Sequence, residues 1–412
     1  MGNSKIKKIK AREILDSRGN PTVEVDLTTN FGIFQASVPS GVSKGKYEAV
    51  ELRDGGKRYH GMGVLKAVKN INEIIEPKIK GKDATRQKEI DEFLTKLDGT
   101  KNKSKLGANT ILAVSMAVCR AGAGAKSLPL WKYIAQISET KKPILPTSSM
   151  LLLEGGSHAG NRLDIQEFMI APLIGPYAEK LRTGVEVYHT LESILKKRYG
   201  ESAINVGCEG GYAAPLKLTT EALDLIVEAV EKAGYENKIK ITLDVAASSF
   251  YQQGIYLFEG KAFKRERLLS LYSELLKKYP IISIEDPFAQ DDWEGFGIFT
   301  KKLGKKIIVI GDDFLVTNLE RIKKAVAEKS CNGLLLKLNQ IGTVSETIEA
   351  AKYALQNNWK VIVSQRGGET CDSFYADLCV GLGTGWIKTG APTRGERVAK
   401  YNRLLRIEEE LK

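Results

Sequence analysis

Cysteine and histidine are scarce, with five and three in 412 residues. Cys119, Cys208, Cys331, Cys371 and Cys379 are odd in number and far apart, and no C-x-x-C pair occurs. That pattern excludes a zinc ribbon, a dithiol redox motif and a disulfide-stapled scaffold. No apolar run of bilayer length is apparent, and the N-terminus MGNSKIKKIKAREI lacks the apolar core of a signal peptide. A cytoplasmic location with no membrane partner is therefore expected. Low-complexity tracts are missing too, and 42% hydrophobic with 27% charged residues is the composition of a folded globular chain. Acidic residues are outnumbered 50 to 62, giving a net charge of +12. The basic excess is spread along helical segments such as ERLLSLYSELLKKY and FTKKLGKK rather than gathered in a tract. This argues against a nucleic-acid partner and suits attraction of a small anionic substrate.

What is present divides into two patterns. Up to about residue 55, IKKIKAREILDS, TVEVDLTTN and GIFQASVPSG alternate and are broken at RGNP and NFG, predicting a three-stranded antiparallel meander. GVLKAVKNINEIIEPKI, DATRQKEIDEFLTKLDG, LGANTILAVSMAVCRAGAGAKS and WKYIAQIS then carry apolar residues at helical spacing. An N-terminal α+β domain over residues 1–138 follows, with the boundary near KKPILP. Over 139–412, short apolar runs (KIKITLDVA, PIISIEDP, KKIIVIGDD, NGLLLKLNQ, WKVIVSQRG, GWIKTGAP) alternate with amphipathic helices. Fully apolar strands in such a repeat predict a parallel sheet covered by helices, an α/β barrel rather than an open sheet.

Charged residues stand at one end of these strands: Asp244, Glu285, Asp312, Lys337, Arg366 and Lys388. In a barrel they converge on one mouth. Three carboxylates there call for a cation, and oxygen ligands without histidine or cysteine favour Mg²⁺ over zinc. Caps on the following helices or simple ion pairs are the structural alternative. Lys337, between leucines in LLLKLN, is expected to project from a dry strand end with a lowered pKa, as a general base. Arg366, beside two glycines in VIVSQRGGETC, is a candidate anion clamp, with a solvated turn residue as the alternative. GGSHAGNRLDIQEFMI offers His158, Gln166 and Glu167, and NVGCEGGYAAP offers Glu209; these acids are expected on flexible glycine-flanked loops, where a glutamate pair can protonate a departing hydroxide. His189 is expected to pack within a helix and His60 to lie on the surface. VPSGVSKGKYEAVELRD, with Ser43 between glycines, reads as a mobile lid.

These residues together resemble the enolase family over nearly the whole chain: REILDSRGNPTVEVDL, GGSHAGNRLDIQEFMI, SIEDPF, GDDFLVTN, LLLKLNQIGT and WIKTGAPTRGERVAKYNRLLRIEEEL occur in the family's order. The resemblance implies an N-terminal α+β capping domain followed by an enolase-type (β/α)8 barrel. It also implies Mg²⁺-dependent dehydration of 2-phosphoglycerate to phosphoenolpyruvate, two Mg²⁺ per site, and a homo-oligomer, dimer or octamer. Carried onto this sequence, Asp244, Glu285 and Asp312 are implied as metal ligands, with Ser43 touching the second metal. Lys337 is implied as the base, Glu209 and Glu167 as the acid pair, Lys388 as a carboxylate ligand and Arg366 as the phosphate arginine.

Departures from the family pattern gather around the substrate. SQRGGETCD stands where S-H-R-S-G-E-T-E-D is usual, placing Gln365 for a histidine and Gly367 for a serine. SGVSKG replaces S-G-A-S-T-G, putting Lys44 beside Ser43; VGCEGGYAA has Cys208 for an acid, AASSF has Ser249, and MLLLEGG replaces an asparagine-rich stretch. Lost volume at 367 and added charge at Lys44 would suit a bulkier, more anionic substrate. The alternative activity is accordingly carboxyphosphoenolpyruvate synthesis of the kind found in phosphonate and phosphinate pathways. A non-catalytic binding or scaffold protein with the enolase fold is the third reading, against which the retained metal and base residues argue.

Overall fold

A computed structural model describes residues 4–42 and 45–412. Ser43 and Lys44 lie outside the described residues. At the N-terminus, β1 (Lys8–Leu15), β2 (Pro21–Thr29) and β3 (Gly32–Ser37) form the expected antiparallel meander in the order β1-β2-β3. Val23, Val25 and Leu27 alternate inward on β2, and β2 and β3 pack against the helix Ala108–Ala125. That helix corrects one sequence expectation, for it is long and apolar enough by length and composition to cross a membrane. Its small residues let it sit deep in the core instead, with 83% of it buried.

The second domain is a closed barrel with a capping ribbon. Its strands are β4 (Thr147–Glu154), β5 (Glu167–Pro172) and β6 (Ile239–Asp244); then, after the small sheet β7 (Tyr251–Gln252), β8 (Ile255–Phe258) and β9 (Lys261–Phe263), β10 (Ile281–Glu285), β11 (Ile308–Gly311), β12 (Gly333–Leu336), β13 (Lys360–Ser364) and β14 (Gly385–Gly390). The ring closes in the order β10-β11-β12-β13-β14-β4-β5-β6. The eight barrel strands are not all parallel: β5 runs antiparallel to both β4 and β6. Glu167 therefore reaches the mouth from the first residue of its strand. It is 2% exposed and held in the sheet, so the expectation of a flexible loop at this position is wrong.

Register brings the acids of neighbouring strands level. Glu154 pairs with Glu167, Glu167 with Asp244, and Asp244 with Glu285, so four carboxylates occupy one row at the mouth. Below them the inward-facing Ile310, Leu335 and Ile362 form a separate apolar cluster that fills the barrel. The mouth is consequently a shallow polar chamber on a dry floor.

Candidate active site

Lys337 and Lys388 organise the mouth. Lys388, on β14, places Nζ 2.8 Å from Asp244 Oδ2, 3.0 Å from Glu285 Oε2 and 3.1 Å from Glu167 Oε1. Lys337, just after β12, places Nζ 2.5 Å from Asp312 Oδ2, while Gln340 donates to Asp312 Oδ1 at 2.8 Å. The three candidate metal ligands thus assemble as two plus one, Asp244 and Glu285 on one ammonium and Asp312 on the other. All three are buried oxygen donors. Gln166 adds an amide that donates to Asp244 Oδ2 at 3.4 Å and leaves its own Oε1 without a partner. An oxygen-only set of this charge fits a hard divalent cation such as Mg²⁺.

Asp312 has a second neighbourhood that the sequence did not suggest. Its carboxylate lies within 4.8 Å of Asp286 and Asp313. Asp286 accepts the backbone N–H groups of Asp312 and Asp313 at 2.9 and 2.8 Å, so it shapes the turn that presents Asp312. Thr317 plays a similar part for the lysine. Its hydroxyl accepts the Lys337 N–H at 3.0 Å and donates to Gln340 at 2.8 Å. Val316 and Thr317 hold φ of 45° and 54°, a left-handed backbone that β-branched residues rarely adopt.

The charges of the mouth are strongly perturbed. Burial alone would lower the Lys337 pKa, but the attraction of Asp312 outweighs it and the net direction is upward. The lowered pKa expected from the sequence is therefore not found while Asp312 holds the ammonium. Burial pushes Glu167 well up against the opposing pull of Lys388. Glu209 is pushed up by burial yet held below its ordinary value by His158, Arg397, Lys388 and Lys337. The two glutamates are thus pushed in opposite directions. Burial pushes the His158 imidazole below its ordinary value, and its Nδ1 lies 3.8 Å from Glu167 and 4.0 Å from Glu209.

The Arg366 fork grips a carboxylate of this chain. Nη1 and Nη2 donate to the two oxygens of Glu48, at 3.1 and 3.0 Å, and Nη1 also reaches Asn339 Oδ1 at 2.8 Å. Upstream of Glu48 in the chain, Ser40 is tied to the Arg366 loop by mutual backbone bonds with Gly368 at 2.7 and 2.8 Å. An anion arriving at Arg366 must displace or share that carboxylate. The chamber is lined by Val42, His158, Gln166, Glu167, Glu209, Asp244, Lys337, Ser364, Gln365, Arg366, Gly367 and Lys388, and open space within it is only ≈ 20 Å³. Two larger hollows, of ≈ 610 and ≈ 670 Å³, lie on other parts of the surface and contain none of these side chains.

The unusual residues fit one another. A Cβ on Gly367 would stand 2.4 Å from Val42 Cγ2, so the volume missing at 367 is filled by Val42 and is not left for substrate. The expectation of a roomier pocket is corrected by that contact. Gln365 donates through Nε2 to Glu209 and accepts from Arg397 Nη1 at 2.5 Å. Arg397, on the helix Gly395–Glu410, is fully buried and also donates to the carbonyls of Arg366 and Gly367 at 2.6 and 2.7 Å. One turn on, Lys400 binds Glu369 at 2.9 Å, and Glu369 accepts the Arg366 N–H at 3.0 Å. Arg397, Lys400, Glu48, Glu154 and Val42 were not singled out from the sequence. Charges on an amphipathic helix read as solvated, and only the packing reveals otherwise. His189 is exposed rather than packed, and His60 is on the surface as expected. Ser249 is also exposed.

Comparison with known proteins gives a consistent result. Residues 6–134 match the family model "Enolase, N-terminal domain" and residues 142–412 match "Enolase, C-terminal TIM barrel domain". Among curated proteins, the chain is similar to an "Enolase" of Mastigamoeba balamuthi, 56% identical over 99% of this chain and 96% of that protein. It is also similar to an "Enolase" of Methanocaldococcus jannaschii, 54% identical over 98% of this chain and 95% of that protein.

Proposed function

The chain belongs to the enolase family, and on that premise we propose how its residues dehydrate 2-phosphoglycerate to phosphoenolpyruvate, the hydro-lyase activity that the relatives support. The observation that carries the reading is the placement of base and acid. Lys337 follows β12 and Glu167 begins β5, four strands apart in a ring of eight. A substrate between them is addressed from opposite walls, as an elimination with proton and hydroxide leaving from opposite faces requires.

Unprotonated Lys337 Nζ takes the proton from C2, and the electron pair released enters the carboxylate to give an enediolate. The enediolate then expels the C3 hydroxyl, which leaves as water on receiving a proton from the Glu167–Glu209 pair. Lys388 supports the charge that develops on the carboxylate, and Arg366 orients the phosphate group in place of Glu48. Gln365 holds Glu209 by its amide, and His158 Nδ1 lies beside both glutamates beyond hydrogen-bond distance. Asp244, Glu285 and Asp312 would hold magnesium, which would supply positive charge against the substrate carboxylate, and Asp312 so engaged would no longer hold the Lys337 ammonium. Two ions per site, a homo-oligomeric dimer or octamer and a cytoplasmic location complete the proposal.

The alternatives are not favoured. Identity of 54–56% over nearly full length to curated enolases speaks for 2-phosphoglycerate, and Val42 removes the volume on which a bulkier substrate was argued. Purified protein with Mg²⁺ is to be assayed by enol absorbance on 2-phosphoglycerate, then on carboxylated and phosphonate analogues. Turnover of 2-phosphoglycerate with a loss of about 10²–10⁴-fold in Lys337→Ala supports the reading. Turnover of a carboxylated analogue alone would overturn it.

A further inference from the structure

Glu154 is a titratable group that the reaction sequence above leaves without a role. It ends β4 and is fully buried. Its Oε1 accepts two backbone N–H groups, from Glu209 at 2.9 Å and Gly211 at 2.8 Å. Oε2 has no hydrogen-bond partner, and among the described residues no ion pair engages the side chain. The surrounding turn is cut to its shape. A Cβ on Gly207 would lie 2.0 Å from Glu154 Oε2, and one on Gly211 would lie 2.9 Å from Glu154 Cγ. The turn that carries Glu209 is therefore wrapped around this one carboxyl group.

Its neighbours determine its charge. Glu209 and Cys208 face it from the turn, His158 from the loop after β4, Glu167 from β5, Tyr188 from the helix Tyr177–Tyr199 and Arg397 from the C-terminal helix. Of these only Arg397 is a permanent cation, and its hydrogen bonds go to Gln365 and to carbonyl oxygens. An ionised carboxylate buried beside two other glutamates without a cation in contact is costly, whereas the neutral acid keeps both amide bonds. We propose that Glu154 is a positioning residue for Glu209, a neutral carboxylic acid that fixes the acid-bearing turn and disrupts it on ionising. Burial first, and Glu209 second, push its pKa up to about 8, which places that disruption in the alkaline range. The inference rests on the proposed role of Glu209 as part of the acid pair.

The test compares Glu154→Leu, Glu154→Gln and Glu209→Gln by kcat and KM from neutral to alkaline pH. Leucine removes both amide bonds and is expected to lower kcat at least about tenfold with a smaller change in KM. Glutamine mimics the neutral acid and is expected to restore most of that loss and to abolish the alkaline fall near about pH 8. If Glu154→Leu does not fold, the pH profile of Glu154→Gln decides alone. An alkaline limb in Glu154→Gln that superimposes on the parent's, or activity as low as the leucine variant's, would overturn the proposal. An active Glu209→Gln would instead sink the underlying acid assignment, whereas an inactive one with an unaltered Glu154→Gln limb sinks the Glu154 proposal alone.

Discussion

Replacing Gly367 by serine tests whether Val42 and the glycine are one packing unit. The new Cβ would stand 2.4 Å from Val42 Cγ2, well over 1 Å inside ordinary carbon contact of about 3.5–4.0 Å. Its distance to Glu209 Oε1, 3.6 Å, is unstrained, so the conflict is with Val42. Overpacking of this kind costs about 1–3 kcal/mol, or about 5–150-fold in an equilibrium. Val42 and Gly367 both line the chamber, so the penalty is expected to fall on substrate binding and to read out in kcat/KM more than in the melting temperature. Val42→Ala removes the obstructing methyl groups, and in the Gly367→Ser background it should recover most of the loss. The assay is kcat/KM on 2-phosphoglycerate for the parent, both single variants and the double variant, treated as a double-mutant cycle. A favourable coupling of about 1–2 kcal/mol is expected for side chains in contact. Additive effects in the double variant, or a silent Gly367→Ser, would refute the packing account.

Other expectations follow from single contacts. Arg397→Met strips the loop 365–367 of its buried donors; loss of one partner from a buried charged network costs about 3–5 kcal/mol, to be read as a lower melting temperature together with reduced kcat. Glu48→Gln weakens the carboxylate that occupies the Arg366 fork, so inorganic phosphate, titrated calorimetrically, should bind more tightly than to the parent. Removing divalent cations with a chelator should abolish turnover, and Mg²⁺ should restore it. Because the folded-state pKa of Glu154 lies above the ordinary 4.5, the native chain binds the extra proton and stability falls as pH rises from there to about 8. Glu154→Gln should flatten that part of the melting-temperature profile.

The parts of this site legible in the sequence share one physical signal, a charge closing an apolar strand. Asp244, Glu285, Asp312, Lys337 and Lys388 all announce themselves in that way, and the register joins the first two level with Glu167. β4 and β5 escaped the periodicity reading because TSSMLLLE is buried on both faces and β5 reverses the strand–helix repeat. Glu154 and Arg397 were hidden for another reason. Each is a charged residue whose burial comes from segments far away in sequence, the turn 207–211 and the loop 365–367. Gly367 was visible but misread, since an absent side chain in sequence gives no indication that Val42, more than three hundred positions earlier, fills its place.

Exchange of the C2 proton of 2-phosphoglycerate is the most direct test of the central claim, that Lys337 removes this proton and the glutamate pair serves the departing hydroxide. Substrate deuterated at C2 is incubated with Mg²⁺ and each variant in ordinary water, and loss of deuterium and product formation are followed together by NMR. Glu209→Gln should still wash deuterium from C2 while forming little phosphoenolpyruvate, and Lys337→Ala should do neither. Washout that persists in Lys337→Ala would contradict the assignment of the base.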